Sequence, residues 1–232
     1  MHQARLVFLR SLLTFTLVSL IWLILPIIQV HADTDALKNT FGARKQVTNN
    51  GTVPKVQGVD AYMTTPDTPI PIGSGKSAGP VGITNYFTMP YAESGPSKTC
   101  PLTCEYHPYS AYRDINGVGS EVDRVDLNLL PGGWYHYKTF FLSNNIWRIQ
   151  FCDGNGCLVL RDVDLKTSAG VAYAIAGGEG LNTNFGPVTS AAFKWRNKAG
   201  TWANSCYTDI LRNVNGRVTA CGGNFDWTVQ YP

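Results

Sequence analysis

The sequence predicts an all-β protein, an antiparallel β-sandwich held by disulfide bonds. Short β-rich runs separated by Gly, Pro and Asn follow one another from Gly58 onward, and no stretch shows helical periodicity of any length. The 23 glycines and 13 prolines supply many turns between those runs. The six cysteines fall into three sequence-local couples, which is typical of a cross-linked exported domain.

Alternation of apolar and polar residues identifies the strands. It is clearest in "NIWRIQF", where Trp147, Ile149 and Phe151 point to one side while Arg148 and Gln150 point to the other. The other candidate strands are "VDAYMTT", "GITNYFTM", "EVDRVDLNLL", "WYHYKTFFL", "CLVLRDVDL", "GVAYAIA", "SAAFKWRN", "GTWANSCY", "GRVTAC" and "FDWTVQY". Only "DILRNV", residues 209–214, has the composition of a short helix. Sheets of this kind bury one face, so most of the tryptophans are expected in the core.

Residues 1–32 have the pattern of a secretory signal peptide. Arg5 and Arg10 precede an uncharged apolar run that Pro26 interrupts, and Val30 and Ala32 occupy the positions that signal peptidase reads. We therefore expect cleavage after Ala32 and a secreted protein. The alternative is an uncleaved membrane anchor, because an apolar run of about 20 residues is long enough to cross a bilayer.

The net charge and length of the chain after residue 32 are those expected of a single globular domain. Two of the 19 basic residues and none of the 16 acidic ones lie in residues 1–32, which leaves a net charge of +1. Neither a nucleic acid nor an anionic membrane is an expected partner at that charge. Residues 33–57 are polar and predict a flexible leader or short pro-segment, and residues 58–232 predict the sandwich domain, expected to be a monomer.

The cysteine spacing favours local disulfides. The hairpin couple is the best supported, because Asp-Gly and Asn-Gly dipeptides between Cys152 and Cys157 form tight turns that bring flanking residues together. The other two expected pairs are Cys100–Cys104 and Cys206–Cys221. After residue 32 the chain has only two histidines and no Cys-x-x-Cys or His-Glu-x-x-His string, so no metal or other cofactor is expected.

Exclusion of other chemistries leaves the carboxylates. The Gly-x-Ser-x-Gly string at residues 75–79 lacks the strand and helix that a serine-hydrolase elbow needs, and paired cysteines leave no free thiol. Two carboxyls held close together do not both ionise easily, so one keeps its proton while the other acts as a base. Glu179 is one candidate, because the glycines around it leave room for a substrate main chain. The alternative is a solvated glutamate in a Gly-rich turn.

A resemblance adds to this argument. "NIWRIQFCDGNGCLVL" followed by "GVAYAIAGGEGLN" resembles the C-terminal half of the neprosin family, secreted glutamic peptidases in which a Trp-x-x-Gln-Phe strand precedes a Gly-Gly-Glu turn. The matching residues are Trp147, Gln150, Phe151, Gly177, Gly178 and Glu179. The run "VQGVDAYMTTP" is more loosely similar to the family's opening strand. The resemblance implies a β-sandwich that holds an extended polypeptide and uses Glu179 as one of two catalytic glutamates.

The second glutamate is not identified by the resemblance. In the family it sits in a Glu-Ala-Gly-Trp string, which this chain lacks. By order and distance Glu105 is the first candidate and Glu93 the second, so the predicted catalytic pair is Glu105 and Glu179, hydrolysing peptide bonds at acid pH.

A non-catalytic function remains the alternative hypothesis. A secreted sandwich, including a degenerate peptidase, would bind glycan or cell-wall polymer through exposed Trp134, Tyr135 and Tyr137. Core packing is the other explanation of these three aromatic residues.

Overall fold

The structure, a computed structural model, describes residues 30–31, 38–46, 56–73, 75–84, 90–166, 173–181, 185–212 and 216–230. The strands within these ranges are, in chain order, β1 (Val30–His31), β2 (Lys38–Gln46), β3 (Gly58–Thr64), β4 (Lys76–Ala78), β5 (Val81–Thr84), β6 (Tyr91–Thr99), β7 (Glu105–Arg113), β8 (Gly119–Asp123), β9 (Trp134–Ser143), β10 (Ile146–Asp153), β11 (Gly156–Asp164), β12 (Tyr173–Leu181), β13 (Val188–Arg196), β14 (Trp202–Asn204), β15 (Asp209–Arg212), β16 (Arg217–Val218) and β17 (Trp227–Gln230).

These strands form two antiparallel sheets, which confirms the predicted fold class. The first sheet has the order β1-β8-β7-β6-β4-β12-β2-β15, and β5 continues the line of β4 between β6 and β12. The second sheet has the order β11-β10-β9-β3-β13-β17-β16, with β14 beside β13. The two sheets stack face to face as a sandwich.

The predicted short helix at residues 209–214 is wrong in its described part. Asp209–Arg212 is the strand β15, in which Ile210 and Leu211 lie opposite Ala43 and Gly42 of β2. Pairing with a distant strand overrides the weak local preference of such a short segment. No helix occurs in the ranges that the structure describes, and hence none long and apolar enough to cross a membrane.

The core lies between the sheets and is built from small and large apolar side chains. The first sheet contributes small residues such as Ala43, Ala174 and Ala176, and the second contributes large ones. Trp147 and Trp227 are buried there, and Trp195 packs against the core. Trp134 and Trp202 lie on the surface, so the expectation about tryptophans holds for three of the five that the structure describes.

The three predicted disulfides are confirmed. Cys152 and Cys157 face each other across the β10–β11 hairpin, with Cα atoms 4.0 Å apart. The other two bonds join Cys100 to Cys104 and Cys206 to Cys221. All three close short segments of the chain, as the spacing indicated.

The first sheet also includes residues that the sequence assigned to the signal and leader segments. Val30 and His31 pair with the edge strand β8. Lys38–Gln46, inside the predicted leader or pro-segment, pairs with β12 on one side and with β15 on the other. Ala43 belongs to the core, and a Cβ on Gly42 would lie 3.0 Å from the Ile175 side chain, so β2 is closely fitted to its neighbour. How the N-terminal region is processed remains a prediction.

Candidate active site

The first sheet has a second face, turned away from the core, on which ionisable side chains are concentrated. Successive residues of a strand point to opposite sides, and Val81 and Ala92 point into the core. The residues next to them along each strand therefore point away from the core, and we call this side of the sheet the outer face. The described outer-face side chains that bear on the site are Lys76, Glu93, Ser97, His107, Tyr109, Glu121, Asp123 and Glu179. Three of the four glutamates of the chain are on this face close to Tyr109.

Glu179 lies within β12 and not in a turn. It is opposite Thr40 of β2 and Ala78 of β4, and only 8% of its surface is exposed. The expectation of a Gly-rich turn after the strand is therefore wrong, because pairing on both sides keeps the backbone extended through Leu181. Glu179 is instead a buried carboxyl in the middle of a sheet.

The glycines around Glu179 serve the two faces separately. Gly178 points to the core, where a Cβ would lie 2.5 Å from the ring of Phe185. On the outer face Gly177 lies opposite Gly42, and its N–H donates to the carbonyl of Pro80 (3.0 Å). Gly95 of β6 follows in the same row, where a Cβ would lie 2.0 Å from the Gly79 carbonyl oxygen.

We call this row, Gly42, Gly177, Pro80 and Gly95, the trough. It crosses four positions of the sheet, three of them glycines, and all four residues are buried. Glu179 belongs to the row on one side of it, and Glu93 belongs to the row on the other side. Adjacent rows on one face are about 7 Å apart along the strands.

Tyr109 closes one end of the trough and contacts Glu93. It lies opposite Gly95, is fully buried, and its hydroxyl donates a hydrogen bond to Glu93 Oε1 at 3.3 Å. Burial raises the pKa of Tyr109 well above its ordinary value, and the negative charges of Glu93, Glu179 and Glu121 raise it further. The hydroxyl therefore remains a donor throughout the acid and neutral range.

Beyond Tyr109 lies a buried ion cluster. The Lys76 ammonium donates to Glu121 and to Asp123 (2.6 Å), and it lies 4.5 Å from the centroid of the Tyr109 ring. Ser97 donates a further hydrogen bond to Asp123 (3.0 Å). Burial alone would lower the pKa of Lys76, but the charges and hydrogen bonds of the two carboxylates outweigh it and raise that pKa.

Glu105 lies at the start of β7, away from this cluster. Its side chain is 49% exposed, and its Oε2 lies 3.3 Å from Nε2 of His107. The other ring nitrogen of His107, Nδ1, lies 3.0 Å from the carbonyl oxygen of Leu127. The structure thus places Glu93 beside Tyr109 and the trough, and places Glu105 at a half-exposed end of its strand.

No known protein-family model matches the sequence, and no curated protein sequence is significantly similar to it. The fold is similar to that of scytalidoglutamic peptidase. Two crystal structures of that enzyme, one with a transition-state analogue inhibitor and one with a peptide-based transition-state analogue, match with TM-scores of 0.58 and 0.57. Each match has 11% sequence identity and covers 84% of this chain and 98% of that chain.

SCP-B, a member of the eqolisin family of peptidases in complex with the tripeptide Ala-Ile-His, matches at 11% identity, with the same coverage and a TM-score of 0.48. The likeness to scytalidoglutamic peptidase establishes a glutamic-peptidase-like fold for this protein. It does not distinguish the neprosin family from other proteins with that fold.

Sequence reasoning missed several residues beside the candidate glutamates. Lys76 drew attention only as part of the Gly-x-Ser-x-Gly string, and no motif singled out Tyr109, Glu121 or Asp123. Lys76 lies in the three-residue strand β4 and Tyr109 in β7, and neither strand shows a clear alternation of apolar and polar residues. Within the described ranges no group of three or more His, Cys, Asp or Glu side chains is arranged to hold a metal ion.

The aromatic strip of the alternative hypothesis is not formed. Tyr137 is fully buried and packs on Phe151, and Tyr135 points to the same side and contacts the same ring. Trp134 alone of the three proposed residues is well exposed. Core packing therefore accounts for two of the three aromatic side chains.

Proposed function

We propose that this protein is a secreted endopeptidase of the glutamic type, which hydrolyses peptide bonds at acid pH through Glu179 and Glu93. The observation that carries the proposal is the position of these two carboxyls on opposite sides of the trough, where Glu93 accepts a hydrogen bond from the buried Tyr109 hydroxyl and the charge of Glu179 raises the pKa of the same tyrosine. The fold shared with scytalidoglutamic peptidase supports it. The sequence resemblance to neprosin around Glu179 supports the same assignment.

The chemistry needs one ionised and one protonated carboxyl. The carboxylate accepts a proton from a water molecule whose oxygen bonds to the scissile carbonyl carbon. The carboxylic acid gives its proton to the leaving nitrogen as the carbon–nitrogen bond breaks. Acid pH favours this pair of states, because at neutral pH both carboxyls tend to be ionised. This reaction requires no cofactor.

Glu93 is proposed as the partner in place of Glu105. The carboxylates that act on Tyr109 most strongly are Glu93, Glu179 and Glu121, and Lys76 binds Glu121. Glu105 is half exposed and engages His107. A solvated, mobile carboxyl positions a water molecule and a peptide less well than a carboxyl whose side chain is fixed by its neighbours.

The substrate class is proposed from the fold shared with scytalidoglutamic peptidase, one structure of which contains a peptide-based transition-state analogue. The glycines of the trough are themselves buried and closely packed, Gly42 against the Ile175 side chain and Gly95 against the Gly79 carbonyl, so their first role is in the packing of the sheet. The three disulfides are consistent with work in an oxidising, extracellular setting. Secretion itself would be tested by sequencing the N-terminus of the exported protein, which we expect to begin after Ala32.

The test is proteolysis of a denatured protein substrate across the acid range by the unmodified protein and three matched variants. We expect Glu179→Gln and Glu93→Gln to remain folded and to lose at least about a hundredfold in kcat/KM, which is typical for loss of a general acid or base. Glu105→Gln is the control and should remain active.

Three outcomes would count against the proposal. Activity of the folded Glu179→Gln protein near the parent level would exclude the glutamic mechanism. Loss of activity in Glu105→Gln, with Glu93→Gln active, would restore the pair predicted from the sequence. If the unmodified protein cleaves nothing at any pH, the non-catalytic binding function becomes the stronger hypothesis.

A further inference from the structure

Tyr109 contacts one of the two proposed catalytic carboxyls through its hydroxyl. The hydroxyl donates to Glu93 Oε1, whereas Glu179 acts on Tyr109 as a nearby negative charge. Tyr109 has no exposed surface, and the strand pairing of β7 with β6 and β8 fixes its backbone. The two carboxyls also differ in burial: Glu93 is partly exposed and accepts the Tyr109 hydrogen bond, whereas Glu179 is 8% exposed, and burial disfavours the charged form of a carboxyl.

We propose that Tyr109 is a positioning residue that assigns the two roles: its hydrogen bond keeps Glu93 as the ionised base, and Glu179 carries the proton for the leaving nitrogen. This inference rests on the proposed function. In one turnover Glu93 gains a proton from water and Glu179 loses its proton to the amine. Exchange with solvent then returns both carboxyls to their starting states.

The physical reason is that a donor to a carboxyl favours its charged form. Tyr109 remains protonated at every pH at which a peptidase of this kind would work, because burial and three neighbouring negative charges raise its own pKa.

The strands around Glu93 carry further charged groups on the outer face. On β7 this face also carries Arg113, two residues beyond Ala111, which lies opposite Glu93. On β8 Glu121 lies opposite Ala111 and is bound by Lys76. The adjacent position on β5 is Gly82, which does not titrate. Across the trough β12 contributes Glu179.

Strands β6 and β7 also provide a matched control. Tyr106 of β7 lies under the Lys98 ammonium, 5.3 Å from its ring centroid, and packs against the core side of the sheet. It therefore repeats the lysine-over-tyrosine arrangement on the opposite face, away from Glu93. Tyr106→Phe and Tyr109→Phe each remove one hydroxyl from a tyrosine of β7 that lies under a lysine, although Tyr106 is only partly buried.

The experiment combines activity with a direct titration of the glutamates. The chain has four glutamates, so protein labelled with ¹³C at the glutamate carboxyl carbon gives four resonances, assigned by the single Glu→Gln variants. In the unmodified protein we expect Glu93 to lose its proton at lower pH than Glu179. In Tyr109→Phe the Glu93 titration should rise by about one pH unit, the size expected from loss of a hydrogen bond to a charged group.

The acid limb of kcat/KM should rise by the same amount in Tyr109→Phe and stay in place in Tyr106→Phe. Glu93 titrating above Glu179 in the unmodified protein would overturn the inference even if Tyr109→Phe did not fold. Suppose instead that Tyr109→Phe folds with the Glu93 titration unchanged, and that Glu93→Gln and Glu179→Gln are both inactive. This result would overturn the inference about Tyr109 and leave the proposed function intact. Full activity of Glu93→Gln would instead contradict the proposed function itself.

Discussion

Gly178 and Glu179 are neighbours in β12 that serve opposite faces of the same sheet. Glu179 lies opposite Ala78 on the outer face, while a Cβ on Gly178 would meet the Phe185 ring at 2.5 Å. In the Gly-Gly-Glu-Gly run, Glu179 therefore belongs to the candidate site on one face, while Gly178 is required by the packing of the core on the other. From the sequence alone, the same glycine-rich run resembles a turn.

We expect Gly178→Ala to lower the free energy of unfolding by about 1–3 kcal/mol, because the added methyl overpacks the core against an aromatic ring. Denaturant unfolding measures the change. Gly154→Ala in the β10–β11 turn, where a Cβ would meet nothing within 4 Å, is the control and should change the free energy little. Addition of Phe185→Leu should restore part of the loss, and equal destabilisation at both glycines would contradict the packing explanation.

We expect Lys76→Met to destabilise the protein by about 3–5 kcal/mol near neutral pH, because it leaves Glu121 and Asp123 buried without their ammonium partner. Lys98→Met should cost less, because its ammonium donates to the Thr68 carbonyl (2.7 Å) and its loss leaves no buried charge there. The pKa of Lys76 is raised on folding, so its contribution is present below the unfolded value and is lost as alkaline pH passes the folded one. Unfolding curves at neutral and alkaline pH test both statements.

Asp60 on β3 should make the free energy of unfolding depend on pH in the acid range. Burial opposes its ionisation, but its hydrogen bond to His136 (2.7 Å) and the charges of His136 and Lys138 outweigh burial, so its pKa is lowered. This contribution is present above the unfolded pKa of about 4 and is lost as pH falls through the folded value. The stability advantage of the parent over Asp60→Asn should therefore shrink as the pH falls below about 4.

Exposed Asp67 provides the comparison for that measurement. Asp67→Asn should lower stability little at any pH, because surface substitutions usually change it by less than about 0.5 kcal/mol. A constant difference between Asp60→Asn and the parent over the acid range would show that Asp60 contributes by shape alone.

The disulfides should differ in their effect on stability according to loop length. Removal of Cys152–Cys157, which are 5 residues apart, should cost about 2 kcal/mol, and removal of Cys206–Cys221, 15 residues apart, about 3 kcal/mol. Paired Cys→Ala variants unfolded by denaturant give the comparison. A larger loss for the shorter loop would show that local packing outweighs the entropy of the unfolded chain.

The strands of the candidate site were the hardest to predict. Neither β4 nor β6 nor β7 was among the predicted strands, although each lies in the first sheet beside the trough. Pro96 and Pro108 lie opposite each other in β6 and β7, and prolines argue against a central strand when the sequence is read alone. These strands also carry polar side chains that become buried, so they lack the usual contrast between an apolar and a polar face.

Local patterns were enough to predict the sandwich class, the three disulfide pairs and Glu179 as a candidate residue, because strand alternation, turn residues between cysteines and a carboxyl among glycines are each visible in a short segment. The surroundings of Glu179 emerge only when the sheet is assembled. Lys76 meets Glu121 and Asp123 some 45 residues further along the chain, and Tyr109 meets Glu93 across a strand pair. Such contacts depend on strand order and register, which the whole sheet fixes by burying one face, and no short segment contains that information.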